Sequence, residues 1–173
     1  MACVTDEQRW AYLAEGNARQ ARKRVAADVV VRDTAGRVLL VDPTYKEHWD
    51  LPGGMAEANE PPRAAAEREL REELGLVTTV GRVLVVDWDG PHGPWDDQLV
   101  FVFDGGVLDP VRAAALRVAD HELAGFEFVP STGLQDRLRA DMVDRATRAL
   151  DALRTGVTHY GEHRRGEEDW SHG

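Results

Sequence analysis

Three glutamates, Glu69, Glu72 and Glu73, lie three and four residues apart in a stretch rich in helix-forming residues. In a helix this spacing places side chains on one face, so the three carboxylates would converge. A hard divalent cation such as Mg²⁺ relieves their mutual repulsion, because it takes oxygen ligands and is commonly shared with substrate phosphates. Taken alone, the helix has a second interpretation as a solvated acidic face, with Arg68 and Arg71 as local ion-pair partners.

The residues around this cluster predict where its helix begins and ends. Pro61 and Pro62 favour a helix start, because proline at the first turn loses no hydrogen bond. Gly75 favours a helix end, since a terminal residue with positive φ is easiest for glycine. Arg68 lies four residues before Glu72 and is expected to pair with it. Beside the acidic face, a buried apolar stripe is predicted at Ala66, Leu70 and Leu74.

The stretch from Gly54 to Leu76 resembles the Nudix box, G-x5-E-x7-R-E-U-x-E-E-x-G-U, where U is a bulky aliphatic residue. The preceding L-P-G-G, which begins at Leu51, is also usual in that family. So many residue types at fixed spacing make a far more specific signal than a short glycine motif. Every fixed position of the box is filled, by Gly54, Glu60, Arg68, Glu69, Leu70, Glu72, Glu73, Gly75 and Leu76.

The resemblance implies a hydrolase that cleaves a diphosphate linked to another group, typically in a nucleoside diphosphate derivative. It implies Mg²⁺, with Mn²⁺ as a substitute, held by Glu69, Glu72, Glu73 and the main-chain carbonyl of Gly54. Arg68 is expected to orient the carboxylates of the site. Two further positions of the box are expected to be structural: Glu60, which would hold the loop onto the helix, and Gly75.

The catalytic base is left open between Glu69 and Glu122. In the Nudix family a glutamate often stands about six residues before the aromatic residue of a later strand, and Glu122 has this spacing to Phe128. Asp120 and Glu127 compete for the same role, and a solvated loop acid is the plain alternative. Glu122 would approach the substrate from the opposite wall of the site.

Candidate substrate-binding residues are Trp49, just before the box, and Trp88 and Trp95, which flank a loop rich in glycine and proline. Paired tryptophans can stack a base, or they can form the loop's own packing cluster. Pro91 lies fifteen residues after Leu76, a position associated in the family with ADP-ribose pyrophosphatases. ADP-ribose or a nucleotide sugar is therefore the favoured substrate. The alternatives are an oxidised dGTP-type triphosphate, a prenyl diphosphate, or a non-catalytic module that senses a nucleotide.

The rest of the chain predicts an α/β or α+β domain. The resemblance implies the Nudix fold, a mixed β-sheet sandwiched between helices. We divide the chain into an N-terminal helix (1–24), a Nudix domain (25–154) and a mobile C-terminal tail (155–173), whose histidines we expect to be unstructured. Strands are predicted at 25–32, 37–41, 78–88, 98–104 and 125–129, a turn at 105–106, and a last helix at 134–153.

Bulk properties limit the class of protein. The 173 residues suit one domain and 43% are hydrophobic, which is enough for a core. A formal net charge of −10 disfavours nucleic-acid binding. A single cysteine excludes an internal disulfide, and no long apolar run indicates a membrane span or signal peptide. We therefore expect a cytoplasmic protein that binds a small-molecule diphosphate, and Trp10 and Leu13 leave a homodimer open.

Overall fold

The structure, a computed structural model, describes residues 5–164. Helices are interspersed among the strands through this part of the chain. Their bounds, in chain order, are α1 (Asp6–Ala18), β1 (Arg24–Asp33), β2 (Val38–Pro43), β3 (Gly53–Met55), α2 (Pro62–Leu74), β4 (Val83–Asp89), β5 (Gln98–Leu108), α3 (Pro110–Ala114), β6 (Leu123–Val129), a 3₁₀ helix (Ser131–Asp136), α4 (Ala140–Thr155) and β7 (His159–His163).

The strands form one mixed sheet in the order β6-β2-β1-β5-β4-β7, and the short β3 pairs with the free part of β1. The central β1–β5 pair and the β4–β7 pair are parallel, and the other pairs are antiparallel. Because β3 lies beside β1, the loop that leads into α2 is fixed to the middle of the sheet. Gly53 and Gly54 stand opposite Asp28 and Ala27 in this pairing.

Each face of the sheet is covered by one helix. On one face, α2 buries the predicted stripe Ala66, Leu70 and Leu74 against Val29 and Val31 of β1. On the other face, α4 packs Met142, Ala146, Ala149 and Ala152 against a second core that includes Val30, Leu84 and Val102. Alternating β1 residues thus enter different cores, as the two-residue period of a strand requires. The predicted mixed sheet between helices is confirmed.

The helix α2 has the predicted bounds for the predicted reasons. It begins at Pro62 after Pro61, and it ends at Gly75, whose φ of 65° is left-handed. The main-chain N–H of Gly75 donates to the carbonyls of Arg71 and Leu70, which satisfies the last turn. This ending fixes how far the acidic face of the helix extends.

Several predictions of local structure were wrong because pairing in the fold overrides local signals. Gly105 and Gly106 do not end their strand, since β5 continues to Leu108 across a register shift against β1. The predicted last helix is interrupted: a 3₁₀ helix precedes α4. Residues 159–163 of the expected mobile tail form β7, in which His159 contacts Asp151 and His163 contacts Asp87. The remaining tail, with His172, lies outside the described residues.

The N-terminal helix α1 begins after a capping box at Thr5 and ends at Ala18, so it is shorter than the predicted segment 1–24. It contains no buried residue, and Trp10 is 73% exposed. Trp10 and Leu13 are therefore exposed in the described part of the chain, and their contact with a second subunit stays a prediction. No helix within residues 5–164 is long and apolar enough to cross a membrane.

A buried ion network joins β4 to α4. Asp87 and Asp89 are fully buried, and Arg145, 3% exposed, donates Nε to Asp87 and Nη2 to Asp89, each at 2.8 Å. Arg148 adds hydrogen bonds to Asp87 at 2.7 and 2.8 Å. Burial alone would raise the pKa of Asp87, but the hydrogen bonds from Arg148 and Arg145 outweigh it and lower the pKa.

Replacing Arg145 by methionine should destabilise the fold by about 3–5 kcal/mol, because two buried carboxylates lose their shared partner. Urea denaturation of the purified variant measures this loss. Arg154→Met is the matched control, since Arg154 pairs with Asp151 in an exposed position and exposed pairs contribute about 0–1 kcal/mol.

The lowered pKa of Asp87 determines how the contribution of this ion network to folding stability changes with pH. A lowered folded-state pKa stabilises the protein above the unfolded pKa of aspartate, and this stability is lost as the pH falls through the folded pKa. As the pH falls below the ordinary pKa of an aspartate, the free energy of unfolding should therefore decrease more steeply in the wild type than in Arg145→Met. If the wild type and Arg145→Met were equally sensitive to acid, and the variant lost less than about 1 kcal/mol of unfolding free energy, the network would contribute little to stability.

Candidate metal and active site

Arg68 connects the loop before α2 to the acidic face of that helix. Its Nε and Nη2 each donate to one carboxylate oxygen of Glu60 at 3.0 Å, a two-pronged pair. Its Nη1 donates to Glu69 at 2.8 Å and to Glu72 at 3.0 Å, and Nη2 also reaches the carbonyl of Met55 at 3.0 Å. One guanidinium therefore fixes three carboxylates and a main-chain carbonyl relative to one another.

Glu60 also forms hydrogen bonds within its own loop, to the main chain of Glu57. Its carboxylate accepts the main-chain N–H of Glu57 at 2.8 Å, and its own N–H donates to the carbonyl of Glu57 at 3.0 Å. The hydrogen bonds from Arg68 lower the pKa of Glu60, so this carboxylate stays charged. This is the geometry expected of a residue that holds the loop onto the helix.

Glu73 lies on the side of α2 that faces the glycine loop. Its Oε2 accepts the main-chain N–H of Gly53 at 3.0 Å. Burial raises the pKa of Glu73 to about 8; the Gly53 hydrogen bond opposes this rise, and the nearby charges of Glu69, Asp28 and Asp50 add to it. Burial also raises the pKa of Glu69. Negative charge at this place therefore exceeds what the neighbouring cations neutralise.

Glycine is required at Gly53, and at Gly54 it lets the main chain approach Glu69 closely. A Cβ on Gly54 would stand 2.6 Å from Oε1 of Glu69, and a Cβ on Gly53 would stand 2.3 Å from the carbonyl oxygen of Ala27. Gly53 also has a φ of 146°, which other residues rarely adopt. The main chain can therefore lie directly against the carboxylates, where its carbonyls become available as ligands.

The chemistry of this donor set fits a hard divalent cation. Glu69, Glu72, Glu73 and the carbonyl of Gly54 are all oxygen donors, the kind that Mg²⁺ prefers. Within residues 5–164, however, no three His, Cys, Asp or Glu side chains are gathered closely enough to hold a metal ion. Arg68 accounts for this, because it engages Glu69 and Glu72. A cation would have to share these two carboxylates with Arg68 or draw them toward Glu73.

Glu122 lies at the turn before β6, and its side chain is exposed. Its main-chain carbonyl accepts the N–H of Thr44 at 2.8 Å, while its own N–H donates to Asp120 at 3.0 Å. The described residues give the Glu122 carboxylate no hydrogen bond to the glutamates of the box. The competitor Glu127 is paired with Arg137. A role for Glu122 as base stays a prediction.

The three candidate tryptophans have different environments. Trp49 is half-buried, with the guanidinium of Arg137 at 5.3 Å from its ring centroid. Trp88 is half-buried, and its Nε1 donates to Asp97 at 2.7 Å. Trp95 is 51% exposed, and Arg24 covers its ring at 4.6 Å. Of the two loop tryptophans, Trp95 therefore has a more accessible ring than Trp88.

Sequence reasoning missed one residue beside this site. Asp28 interrupts the otherwise apolar run of β1 and stands opposite Gly53. Burial raises its pKa to about 7, against the attraction of Arg145. A charged residue in the middle of a central strand was the available signal, since such positions are rarely ionisable without a reason.

A family model described as the NUDIX domain matches residues 22–152. The chain belongs to the NUDIX family. The match includes α2, the loop before it and the sheet that supports them. It excludes α1 and β7.

Among known proteins, the NUDIX chain is similar to an ADP-ribose pyrophosphatase from Mycobacterium tuberculosis, 40% identical over 95 residues that cover 52% of this chain and 45% of that protein. A CTP pyrophosphohydrolase from Escherichia coli is 43% identical over 61 residues, which cover 33% of this chain and 44% of that protein. The chain thus spans less than half the length of these relatives.

Solved structures share the NUDIX fold at low identity. The NUDIX domain of Shewanella oneidensis NrtR, in a cocrystal structure with ADP ribose, gives a TM-score of 0.67 at 18% identity. The alignment covers 86% of this chain and 99% of that one. This similarity supports the architecture of the NUDIX domain and says nothing by itself about the substrate.

The charge surplus at Glu73 predicts how the metal-free NUDIX domain responds to pH. A folded-state pKa raised to about 8 costs stability as the pH rises from the unfolded value through the folded one. Glu73→Gln should therefore melt at a higher temperature than the wild type near pH 8.5 in excess EDTA, and at a similar temperature near pH 4. Addition of Mg²⁺ should then raise the melting temperature of the wild type more than that of the variant.

Thermal denaturation in four conditions, at two pH values with and without Mg²⁺, checks this prediction. Glu57→Gln makes the same chemical change at an exposed loop position and should follow the wild type. A Glu73→Gln protein that melts lower than the wild type at high pH without metal would contradict the inferred charge surplus.

Proposed function

We propose that the protein hydrolyses the diphosphate linkage of a nucleoside diphosphate derivative, of the ADP-ribose or nucleotide-sugar type, with Mg²⁺ or, as a substitute, Mn²⁺. The observation that carries this proposal is the set of three carboxylates on one face of α2. Glu69 and Glu73 lie against the glycine loop, and Arg68 holds Glu69 and Glu72. The relative named as an ADP-ribose pyrophosphatase and the ADP-ribose-bound NUDIX structure support the choice of substrate.

A bound Mg²⁺ would offset the negative charge of the diphosphate and lower the pKa of a coordinated water. The residues that would hold it are Glu69, Glu72, Glu73 and the carbonyl of Gly54. The role of Arg68 is to orient Glu69 and Glu72, since its Nη1 contacts both. Loss of such an orienting partner typically costs about 10–100-fold in metal affinity or activity.

A catalytic base must reach the attacking water within about 2.6–3.2 Å, directly or through one water. Glu69 lies on the same helix face as the expected metal ligands and already contacts Arg68. Glu122 comes from another element, and its exposed carboxylate is free to approach the substrate from the other side. We therefore assign the base to Glu122 and metal binding to Glu69.

Two other substrates and one other class of function compete with this proposal. An oxidised dGTP-type triphosphate or a prenyl diphosphate would use the same carboxylates. A non-catalytic nucleotide sensor would bind a nucleotide without cleaving it, and it would not need all three glutamates. Phosphate or nucleotide release from a panel of diphosphates with Mg²⁺ separates these possibilities, since a sensor releases nothing.

Hydrolysis should require Mg²⁺ or Mn²⁺ and should be lost in excess EDTA. Glu72→Gln and Glu73→Gln should each lower kcat/KM by several powers of ten, because each removes a charged ligand, while the far-ultraviolet circular dichroism stays unchanged. Glu57→Gln is the matched control and should retain activity. Full turnover by Glu73→Gln, or in EDTA, would exclude this metal site.

Glu122→Gln should lower kcat by about 10²–10⁴-fold with little change in KM, the usual contribution of general acid–base catalysis. Glu69→Gln should instead raise the Mg²⁺ concentration needed for half-maximal rate. Steady-state kinetics across pH and a Mg²⁺ titration measure both effects. Glu127→Gln is the comparison, because Glu127 is a neighbouring carboxylate paired with Arg137. Near-normal kcat in Glu122→Gln across pH would transfer the role of base to Glu69.

A further inference from the structure

Asp28 is a half-buried carboxylate in the centre of the sheet, beside the loop of the proposed active site. It stands opposite Gly53 in the β1–β3 pairing. The position that a Cβ would take on Gly53 is 3.0 Å from Oδ1 of Asp28. The main chain of Gly53 therefore lies directly against this carboxylate, which a side chain at Gly53 would displace.

Within residues 5–164, no side chain or main-chain N–H donates a hydrogen bond to the Asp28 carboxylate. The nearest cations are engaged elsewhere: Arg145 with Asp87, and Lys46 with Asp50. Burial, the largest influence, raises the pKa of Asp28 to about 7, and Arg145 only partly opposes it. A carboxylate kept in a strand interior without a hydrogen-bond partner costs stability, so the binding of an external donor explains it better than packing does.

The position of Asp28 limits what that donor can be. Gly53 joins the two parts of the site, because its N–H donates to Glu73 on one side and its Cα faces Asp28 on the other. A ligand group at Asp28 must therefore lie next to the diphosphate, closer than a base that is separated from it by a sugar. The donors found at that place in a nucleotide sugar are the hydroxyl groups of the sugar.

We propose that Asp28 binds hydroxyl groups of a sugar attached directly to the diphosphate, and thereby selects sugar-linked diphosphates over those with a hydrocarbon chain. The two oxygens of a carboxylate suit two adjacent hydroxyls, each of which donates one hydrogen bond. A prenyl chain offers no donor and would place hydrocarbon against a charged group. This inference rests on the proposed function and specifies its substrate class.

The test is a cycle of substrate and protein changes. ADP-ribose is compared with analogues that lack the hydroxyls of one sugar or of the other, in the wild type and in Asp28→Ala. One analogue should lose about 10–100-fold in kcat/KM with the wild type, the usual effect of deleting a hydrogen bond to a charged group. With Asp28→Ala the same analogue and ADP-ribose should react equally well, because the interaction is already absent.

Asp28→Asn and Asp136→Asn complete the design. Asp136 is exposed on the 3₁₀ helix, so its variant makes the same chemical change away from the site and should leave discrimination unaltered. Asp28→Asn should lose discrimination while melting no lower than the wild type, because it removes an unpaired, half-buried charge. A purely structural aspartate would show the opposite, with a lower melting temperature and intact discrimination.

Three outcomes would overturn the inference: unchanged discrimination in both Asp28 variants, no loss with either analogue in the wild type, or a changed Mg²⁺ requirement as the only effect, which would make Asp28 a metal ligand. Failure of the proposed function is distinct, since the wild type would then release no product from any diphosphate. In that case calorimetric binding of ADP-ribose and the two analogues to the same proteins, with Mg²⁺ present, applies the same cycle to affinity.

Discussion

The contact between Arg68 and Glu60 is the interaction on which the candidate site depends. The loop from Gly53 to Glu60 is held to the sheet at its beginning, by the three-residue β3 and the hydrogen bond from Ala56 N–H to the Val25 carbonyl. Its far end needs a second attachment, to α2. Two parallel N–H···O bonds supply a direction as well as an attraction, which a lysine could not do with a point charge. The remaining donors of the same guanidinium then set the carboxylates of Glu69 and Glu72.

Sequence reasoning succeeded where local chemistry decides the structure. The bounds of α2 follow from Pro62 and Gly75, whose backbone preferences act within one turn. The Arg68–Glu72 pair follows from helical spacing alone. The convergence of Glu60, Met55 and Arg68 could be expected only from the resemblance to the Nudix box, because these residues lie across a loop whose path the local sequence does not determine.

Sequence-based predictions failed where contacts between distant parts of the chain determine the local structure. The strand β7 has a polar, glycine-containing sequence typical of a tail, yet it pairs with β4 along its whole length. Gly161 explains part of this, since a Cβ there would stand 2.5 Å from Asp87 and 2.9 Å from Arg148. Only glycine lets the main chain approach a buried ion network, and that network is itself assembled from β4 and α4. No local pattern around residue 161 contains this information.

The buried carboxylate Asp87 and the carboxylates Glu73 and Asp28 beside Gly53 differ in how their negative charge is neutralised. We use this difference to infer which of them bind a ligand. Asp87 is more deeply buried than Glu73, yet its pKa is lowered, because Arg145 and Arg148 contact it directly. Within residues 5–164, Glu73 and Asp28 contact no such cation, and their pKa values rise. The fold therefore gives Asp87 two direct arginine partners, whereas the charges of Glu73 and Asp28, on either side of Gly53, are left to other neighbours. An interior carboxyl group without a cation is either protonated or stabilised by a ligand that binds it. On the Glu73 side of Gly53 the suitable ligand is a cation. On the Asp28 side it is a neutral hydrogen-bond donor, since the charge of Arg145 already opposes the rise in the pKa of Asp28. A sugar diphosphate with its metal ion presents a cation and hydroxyl donors together.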